Sequence, residues 1–466
     1  MQIDEQRIAL IVESVLKQIQ VNQQAGSSEP VNRPGVFSDI DTAVKAAVKA
    51  QQELERLSLE QRGEFISAIR EVSIANAKEW ARLAWESTGM GRVADKTVKN
   101  INAARLTPGI EDIKPLAGTG DDGLVLVERA PFGAIASIEP ATHPVACLIN
   151  HAIAMLSGGN SIFFLPHPKG LKCAMAVVQA FNKVIIERGG PANSMVVLDE
   201  VRLEDVSKVA KHPGINLVVA TGGPAVVEIA LSSGKKAIAA GPGNPPVVVD
   251  ETADLPKTAR DIVVGATFDN NILCIAEKVI IAIDSIADRL MAELQKQNTL
   301  RLTGGDVERL TRLVTVEGHI NGKYVGKDAS VILKDLEIQA AEDVRAIVIE
   351  VPPQHPLVEL EQMMPVLPFV RVNNFEDALQ LALKVEHGFG HTAMIHSNDI
   401  DRITRYTRAM NTTIVVANAP SAAGLAVEGE GVYSHTIASP TGEGVTTVRT
   451  FTRERRLAVG RSLRIV

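Results

Sequence analysis

The stretch FDNNILCIAEK, Phe268–Lys278, follows a helical apolar pattern over Leu255–Ala266 and precedes the strand-like run Val279–Ile283. Cys274 therefore lies in a short connection between a helix and a strand, where a thiol stays accessible enough to attack a carbonyl. Sulfur is a good nucleophile even when only partly ionised. Toward the N-terminus, strand-like runs at Ala134–Ile138, Ser161–Leu165, Met195–Leu198, Asn216–Ala220 and Lys236–Ala239 alternate with helical stretches. That alternation predicts a parallel sheet covered by helices, an architecture of nucleotide-binding type. Toward the C-terminus a second series runs from Val247 to about Val416, including Ala346–Val351, Phe369–Val372 and Thr392–His396. The fold class expected is α/β with two Rossmann-like lobes.

The flanks read differently. From Ser38 two helical stretches are expected, the second opened by the capping-box pattern Ser58-Leu59-Glu60-Gln61 and ended near Gly89-Met90-Gly91. The alternating run Leu124–Val127 beside 118–123, and the tail from about Val445, fit neither lobe. Such a run with polar flanks suits an exposed hairpin that another chain covers, so an oligomerisation arm is expected, in a homodimer or homotetramer. At the N-terminus Ile8, Ile11, Val12, Val15, Leu16 and Ile19 recur at helical spacing, and the Pro/Gly/Ser/Asn/Gln-rich stretch Val21–Gly35 reads as a tether. That helix either docks on another protein or folds back as an arm. The expected domains are the helix at 1–20, the linker at 21–35, a nucleotide-binding domain at 36–117 and 131–240, a catalytic domain at 241–430, and the arm at 118–130 and 431–466.

With 466 residues, 45% of them apolar, the chain can bury more than one core. A net charge of −7 with interspersed signs gives no electrostatic reason to expect nucleic acid or anionic membrane as a partner. No apolar run is long enough for a bilayer, and the N-terminus lacks the pattern of a secretory signal, so a cytosolic protein is expected. Cys147, Cys173 and Cys274 show no spacing that suggests disulfides or a zinc site. Cys147 and Cys173 sit in helical apolar patterns and read as small buried hydrophobes.

The segment around Cys274 resembles the active-site loop of the aldehyde dehydrogenase superfamily, and closely that of the coenzyme-A-acylating acetaldehyde and propionaldehyde dehydrogenases of bacterial microcompartments. The likeness extends along the chain through APFGAIASIEPATHP (130–144), GGNSIFFLPHP (158–168), ATGGP (220–224), GPGNPPVVVDETADL (241–255), EQMMPVLP (361–368) and PTGEG (440–444). It implies the aldehyde dehydrogenase fold, a catalytic nucleophile at Cys274, NAD as cofactor and coenzyme A as co-substrate. It also implies that a thioester on Cys274 passes to coenzyme A. The hydrolytic members carry a water-activating glutamate whose aligned position here is Ala240, and the run after it holds no carboxylate. A coenzyme A thiol, near the free-cysteine reference of about 8.5, is partly ionised at neutral pH and needs less help than water.

The resemblance assigns further candidates. Thr142 aligns with the oxyanion-binding asparagine of hydrolytic relatives, or is a turn residue. His143 stands where acylating relatives usually have asparagine. Thr221, Gly222 and Gly223 open a helix after a strand and would present backbone N–H groups to a pyrophosphate. Pro166 and His167 replace an adenosine-binding lysine, and Glu361 aligns with the glutamate that holds the nicotinamide ribose, or is a solvated acid. EHGFGHTA (386–393) and PTGEG read as structural. The N-terminal helix resembles encapsulation peptides, implying a microcompartment shell or core protein as partner and a bacterial cytoplasmic enzyme enclosed in that compartment. The rivals are a hydrolytic or phosphorylating aldehyde dehydrogenase, and a non-catalytic microcompartment scaffold.

Overall fold

Strands of the first sheet bury both faces, and their side chains divide by alternation. Along Ala134–Glu139, Ile135 packs into one core with Ile162, Phe164, Val197 and Val219. Ala134, Ala136 and Ile138 pack into a second with Phe163, Leu165, Val196 and Val218. Such double burial requires helices on both sides. The computed structural model describes residues 33–341 and 343–464; the expected helix at 1–20 and most of the tether lie outside them.

The first sheet has the order Val36–Phe37, Met195–Leu198, Ser161–Pro166, Ala134–Glu139, Leu217–Thr221, Lys236–Ala240, and all neighbours are parallel. After Ala134–Glu139 the chain steps outward in one direction; after Met195–Leu198 it crosses to the other side of the starting strand. The carboxyl ends of Ala134–Glu139 and Leu217–Thr221 flank that reversal, the place where open α/β sheets bind ligands. The second sheet, also parallel, has the order Thr299–Leu302, Ala346–Glu350, Val366–Val372, Val279–Ile283, Pro246–Val249, Thr392–His396, Ile414–Ala417. The two-lobe expectation holds.

Between Ser38 and Leu106 the described residues differ from the sequence reading, forming four helices rather than two: Ile40–Leu54, Leu59–Ala75, Ala77–Thr88 and Val93–Leu106. The capping box forms as expected, with Ser58 Oγ accepting from Gln61 N at 3.2 Å and Gln61 Oε1 accepting from Ser58 N at 3.0 Å. The break falls at Asn76, whose Nδ2 donates to the Val72 carbonyl at 2.8 Å. Local side-chain bonding of this kind competes with helix continuation.

Leu116–Gly120 and Gly123–Pro131 form an antiparallel hairpin, and Thr452–Gly460 extends it from Thr452 opposite Pro131 to Gly460 opposite Gly123. This ribbon leaves Leu116 68% and Leu457 56% exposed. Of the stretch 431–466, however, only the strand joins the ribbon. Tyr433, Ile437, Val448 and Phe451 are buried in the main core, so the preceding segment belongs to the body. Among the described residues no helix is long and apolar enough to cross a membrane.

Asn160 pins the ribbon's root. Its Oδ1 accepts from Phe132 N at 2.8 Å and Gly133 N at 3.1 Å, and its Nδ2 donates to the Met155 and Phe451 carbonyls, each at 2.9 Å. Asn160→Ala orphans these buried backbone groups. The expected cost is about 3 kcal/mol, read as a lower urea midpoint at unchanged slope.

Candidate active site

The helix Leu255–Thr267 opens on Asp254, whose side chain accepts from Lys257 N, and the chain then turns sharply. Asp269, Asn270 and Asn271 are successively left-handed, with φ of 49°, 56° and 65°. That conformation costs most residues about 1–2 kcal/mol, and Asp and Asn bear it best. Here each is clamped. Asp269 Oδ1 accepts from Arg92 N at 2.8 Å, and Oδ2 pairs with Lys96 at 3.1 Å and with Lys99. Asn270 Nδ2 donates to the Gly326 carbonyl at 3.0 Å. Asn271 Nδ2 donates to the Ala266 and Glu277 carbonyls at 2.8 and 2.9 Å. Lys278 Nζ closes the loop on Asn271 O at 2.8 Å and Oδ1 at 2.5 Å. Cys274 is carried inside this closed turn.

Electrostatics follow from burial. Desolvation alone would raise the Asp269 carboxyl, but Lys99 and Lys96 outweigh it and hold it below the ordinary range. The Cys274 thiol is pushed up to about 12, first by burial and then by the nearby Glu361 carboxylate; Lys278 and the backbone N–H groups of Cys274 and Ile275 act the other way. Burial also raises Glu361 to about 7, against the pull of Lys278. Cys274 and Glu361 therefore share one electrostatic neighbourhood.

Cys274 lines a cavity of about 200 Å³. Val264, Phe268, Leu273, Ile275 and Leu425 make its wall apolar, and Lys99, His143, Tyr433 and His435 supply a polar side. Gly243 backs the nucleophile: a Cβ there would stand 2.7 Å from the Cys274 carbonyl oxygen and 3.1 Å from His391 Cγ, so the GPGNPP run needs glycine at this approach. His391 is buried, donates its N–H to Glu386 Oε1 at 2.8 Å, and has no partner at Nε2 among the described residues. Burial and Lys278 push it down to about 4, so its imidazole is neutral at pH 7.

The remaining expected residues fall in two groups. Thr221 is buried at the carboxyl end of its strand, its Oγ1 2.6 Å from Thr436 Oγ1. Gly222 follows, and Gly223 caps the helix Pro224–Leu231, leaving an accessible helix N-terminus. Pro166 ends the strand Ser161–Pro166, and His167 N donates to the Glu139 carbonyl at 2.9 Å. The Thr221 and Pro166 strand ends lie on either side of Ala134–Glu139, at the carboxyl edge of the sheet by the reversal described above. Thr142 is placed differently from Cys274's wall: its carbonyl faces Lys99 Nζ at 3.5 Å, and its neighbour His143 lines the cavity. Ala240 is buried at the end of Lys236–Ala240. The PTGEG run is tied to that same strand, Thr441 Oγ1 accepting from Ala239 N and Glu443 pairing with Lys236, both at 3.0 Å.

Sequence reading missed Lys99, Lys278, Tyr433 and His435 and gave His391 only a structural part. A buried network also joins the crevice to the C-terminal segment. Glu139 Oε1 accepts from Ser137 Oγ at 2.7 Å and meets His151 Nδ1 at 2.9 Å, and His151 Nε2 lies 2.7 Å from Thr436 Oγ1.

Because the Glu361 charge raises the Cys274 thiol, Glu361→Gln lowers it and increases the thiolate fraction. Iodoacetamide labelling of Cys274 at pH 8, followed by mass spectrometry, is expected to be several-fold faster in this variant. Cys147 and Cys173, fully buried on their helices, are expected to stay unlabelled.

The profile of the aldehyde dehydrogenase family matches residues 33–433. The chain is 44% identical over 470 residues to the acetylating acetaldehyde dehydrogenase EutE of Salmonella typhimurium, covering 99% of this chain and 100% of that one. It is 42% identical over 423 residues to the CoA-propanoylating propanal dehydrogenase of the same organism, covering 91% of each. A Rhodopseudomonas palustris propionaldehyde dehydrogenase, solved with bound CoA and an acylated cysteine, superimposes with a TM-score of 0.91 at 43% identity, over 93% of this chain and 99% of that one. A propionaldehyde dehydrogenase from the Clostridium phytofermentans fucose utilisation microcompartment gives 0.92 at 46%, over 93% and 100%. With the family profile spanning most of its length and such relatives end to end, the chain belongs to the aldehyde dehydrogenase family.

Proposed function

We propose that this enzyme converts a short-chain aldehyde such as acetaldehyde or propionaldehyde, with NAD and coenzyme A, into acyl-CoA and NADH. The observation that carries the choice of acceptor is Ala240, buried where the resemblance puts the water-activating glutamate of hydrolytic members. Glu277, raised to about 7 by burial, is held by Ser421, with N donating to Oε1 at 2.8 Å and Oγ to Oε2 at 2.9 Å. The close relatives that acylate coenzyme A support the same reading.

The residues at the crevice suit a dinucleotide. The accessible N-terminus after Gly223 offers backbone N–H groups to a pyrophosphate, with Thr221 beside it, and Pro166 and His167 border the strand end on the other side of Ala134–Glu139. Glu361 offers carboxylate oxygens to ribose hydroxyls. When bound, the nicotinamide supplies a hydride acceptor. Cys274 Sγ attacks the aldehyde carbon, and the alkoxide is met by the Cys274 backbone N–H and a side-chain donor, for which Thr142 is the candidate from alignment. Hydride loss leaves a thioester on Cys274, which the coenzyme A thiol opens, returning the cysteine.

The N-terminal segment 1–20 is proposed to bind a microcompartment shell or core protein, placing the enzyme inside that compartment in the bacterial cytoplasm. The exposed ribbon is proposed to join subunits into a homodimer or homotetramer.

Two experiments test these readings. In an acceptor panel of coenzyme A, phosphate and water, NADH is expected to match acyl-CoA formed; free acid or acyl phosphate at that rate overturns the assignment, and Cys274→Ala is expected to abolish NADH with folding kept. Deleting residues 1–20 is expected to remove compartment co-localisation and spare activity, and unchanged co-localisation would refute the role given to the helix.

A further inference from the structure

His143 immediately precedes the helix Ala146–Ser157 and is anchored to its first turn, Cys147 N donating to the His143 carbonyl at 3.2 Å. Its ring lines the same cavity as Cys274. On one edge, Lys99 Nζ lies 2.9 Å from His143 Nδ1, both side chains buried. An ammonium group only donates hydrogen bonds, so Nδ1 must accept, and the ring hydrogen must sit on Nε2. Lys99 itself is fixed by its ion pair with Asp269 and by the Thr142 carbonyl at 3.5 Å. Burial, reinforced by Lys99, His435 and Lys96, outweighs a hydrogen bond with the Thr142 backbone and holds the ring well below the ordinary histidine range. His143 is therefore neutral, in one tautomer, with an N–H donor rather than a base at Nε2. His435 packs beside it, ring centroids 5.2 Å apart, and is itself held by Tyr433 Oη at 3.1 Å from His435 Nε2.

We propose that His143 is a catalytic residue of the first stage, its Nε2–H donating to the substrate carbonyl oxygen, with Lys99 as the positioning residue that sets the tautomer. The inference rests on the aldehyde dehydrogenase reading above and assigns the side-chain donor to His143 rather than Thr142. As the Cys274 S–C bond forms, the carbonyl π pair moves to oxygen and the thiolate charge moves with it. A preset Nε2–H meets that charge without reorganisation. When hydride leaves, the C=O bond reforms and the hydrogen bond relaxes, with no proton transferred from the ring. A neutral donor suits this step, since a cationic imidazolium would risk protonating the alkoxide and stalling hydride departure.

The test compares His143→Gln with His143→Met in the full-length enzyme. The two replacements are close in length, and only Gln retains an N–H donor, at about the reach of the imidazole Nε2; neither can act as a base at neutral pH. Single-turnover NADH formation with propionaldehyde is followed without coenzyme A, so that acceptor chemistry does not enter. His143→Met is expected to slow this step by about 10²–10³-fold with KM little changed, and His143→Gln to recover most of the loss. Thermal unfolding and NAD binding report folding of each variant, and the Gln-to-Met ratio keeps its meaning if both lose stability equally. Equal rates in the Gln and Met variants overturn the proposal, whether both are slow or both are fast. So does a loss confined to hydroxyaldehydes, which would place the donor on a remote hydroxyl instead. If Cys274→Ala still made NADH, the catalytic reading would fail; a Gln-to-Met ratio near one with Cys274→Ala inactive would remove the His143 role alone.

Discussion

A single carboxylate, Asp269, carries the arrangement around the nucleophile. It sits fully buried in a left-handed turn and is met by a backbone N–H from Arg92 and by two lysines from one helix face. Neither part is comfortable without the other. Two ammonium groups buried side by side repel, which with burial pushes Lys96 down to about 8, and a lone buried carboxylate would be protonated. Together they fasten the catalytic loop to Val93–Leu106, and through Lys99 the same charge reaches the cavity wall at His143. The geometry of the thiol and the hydrogen-bonding state of the wall opposite it thus have a common origin.

The two lobes are also joined from the far end of the chain. Tyr433, His435 and Ile437 enter the cavity, and Thr436 bonds between His151 of the first lobe and Thr221 at its strand end. A stretch that by sequence looked like the beginning of an arm is a strap across the crevice. Its Thr436 meets polar groups of the first lobe, while Ile437 adds an apolar side chain to the cavity lining. A small apolar chamber with a few fixed polar groups is the usual form of a site for a small carbonyl compound.

Features set by local pattern were legible in the sequence. The alternation of strands and helices, the capping box at Ser58, the two cysteines buried on helices and the exposed hairpin all depend on neighbours within a few residues. So does Cys274, lodged between a helix and a strand. What escaped were partners chosen by three-dimensional proximity. Lys99 and His143 are separated by 44 residues and His151 and Thr436 by 285, and no spacing rule links them. Nothing near Lys96 and Lys99 in sequence marks them as buried, because their counter-charge at Asp269 arises far along the chain. The helix break at Asn76 was hidden for the opposite reason: it turns on one side-chain-to-backbone bond that asparagine makes in some helices and not in others.

The ribbon has a consequence for how the protein is made. Its middle strand, Gly123–Pro131, is synthesised long before its outer partner, Thr452–Gly460. Until then the edge of Gly123–Pro131 that faces this partner stays unpaired, and Asn160 lacks the Phe451 carbonyl it donates to. Long-range pairing of this kind is slow and leaves a nascent chain open to wrong partners. The ribbon is finished only once Thr452–Gly460 has been made, so any chain lacking that strand presents an unfinished edge.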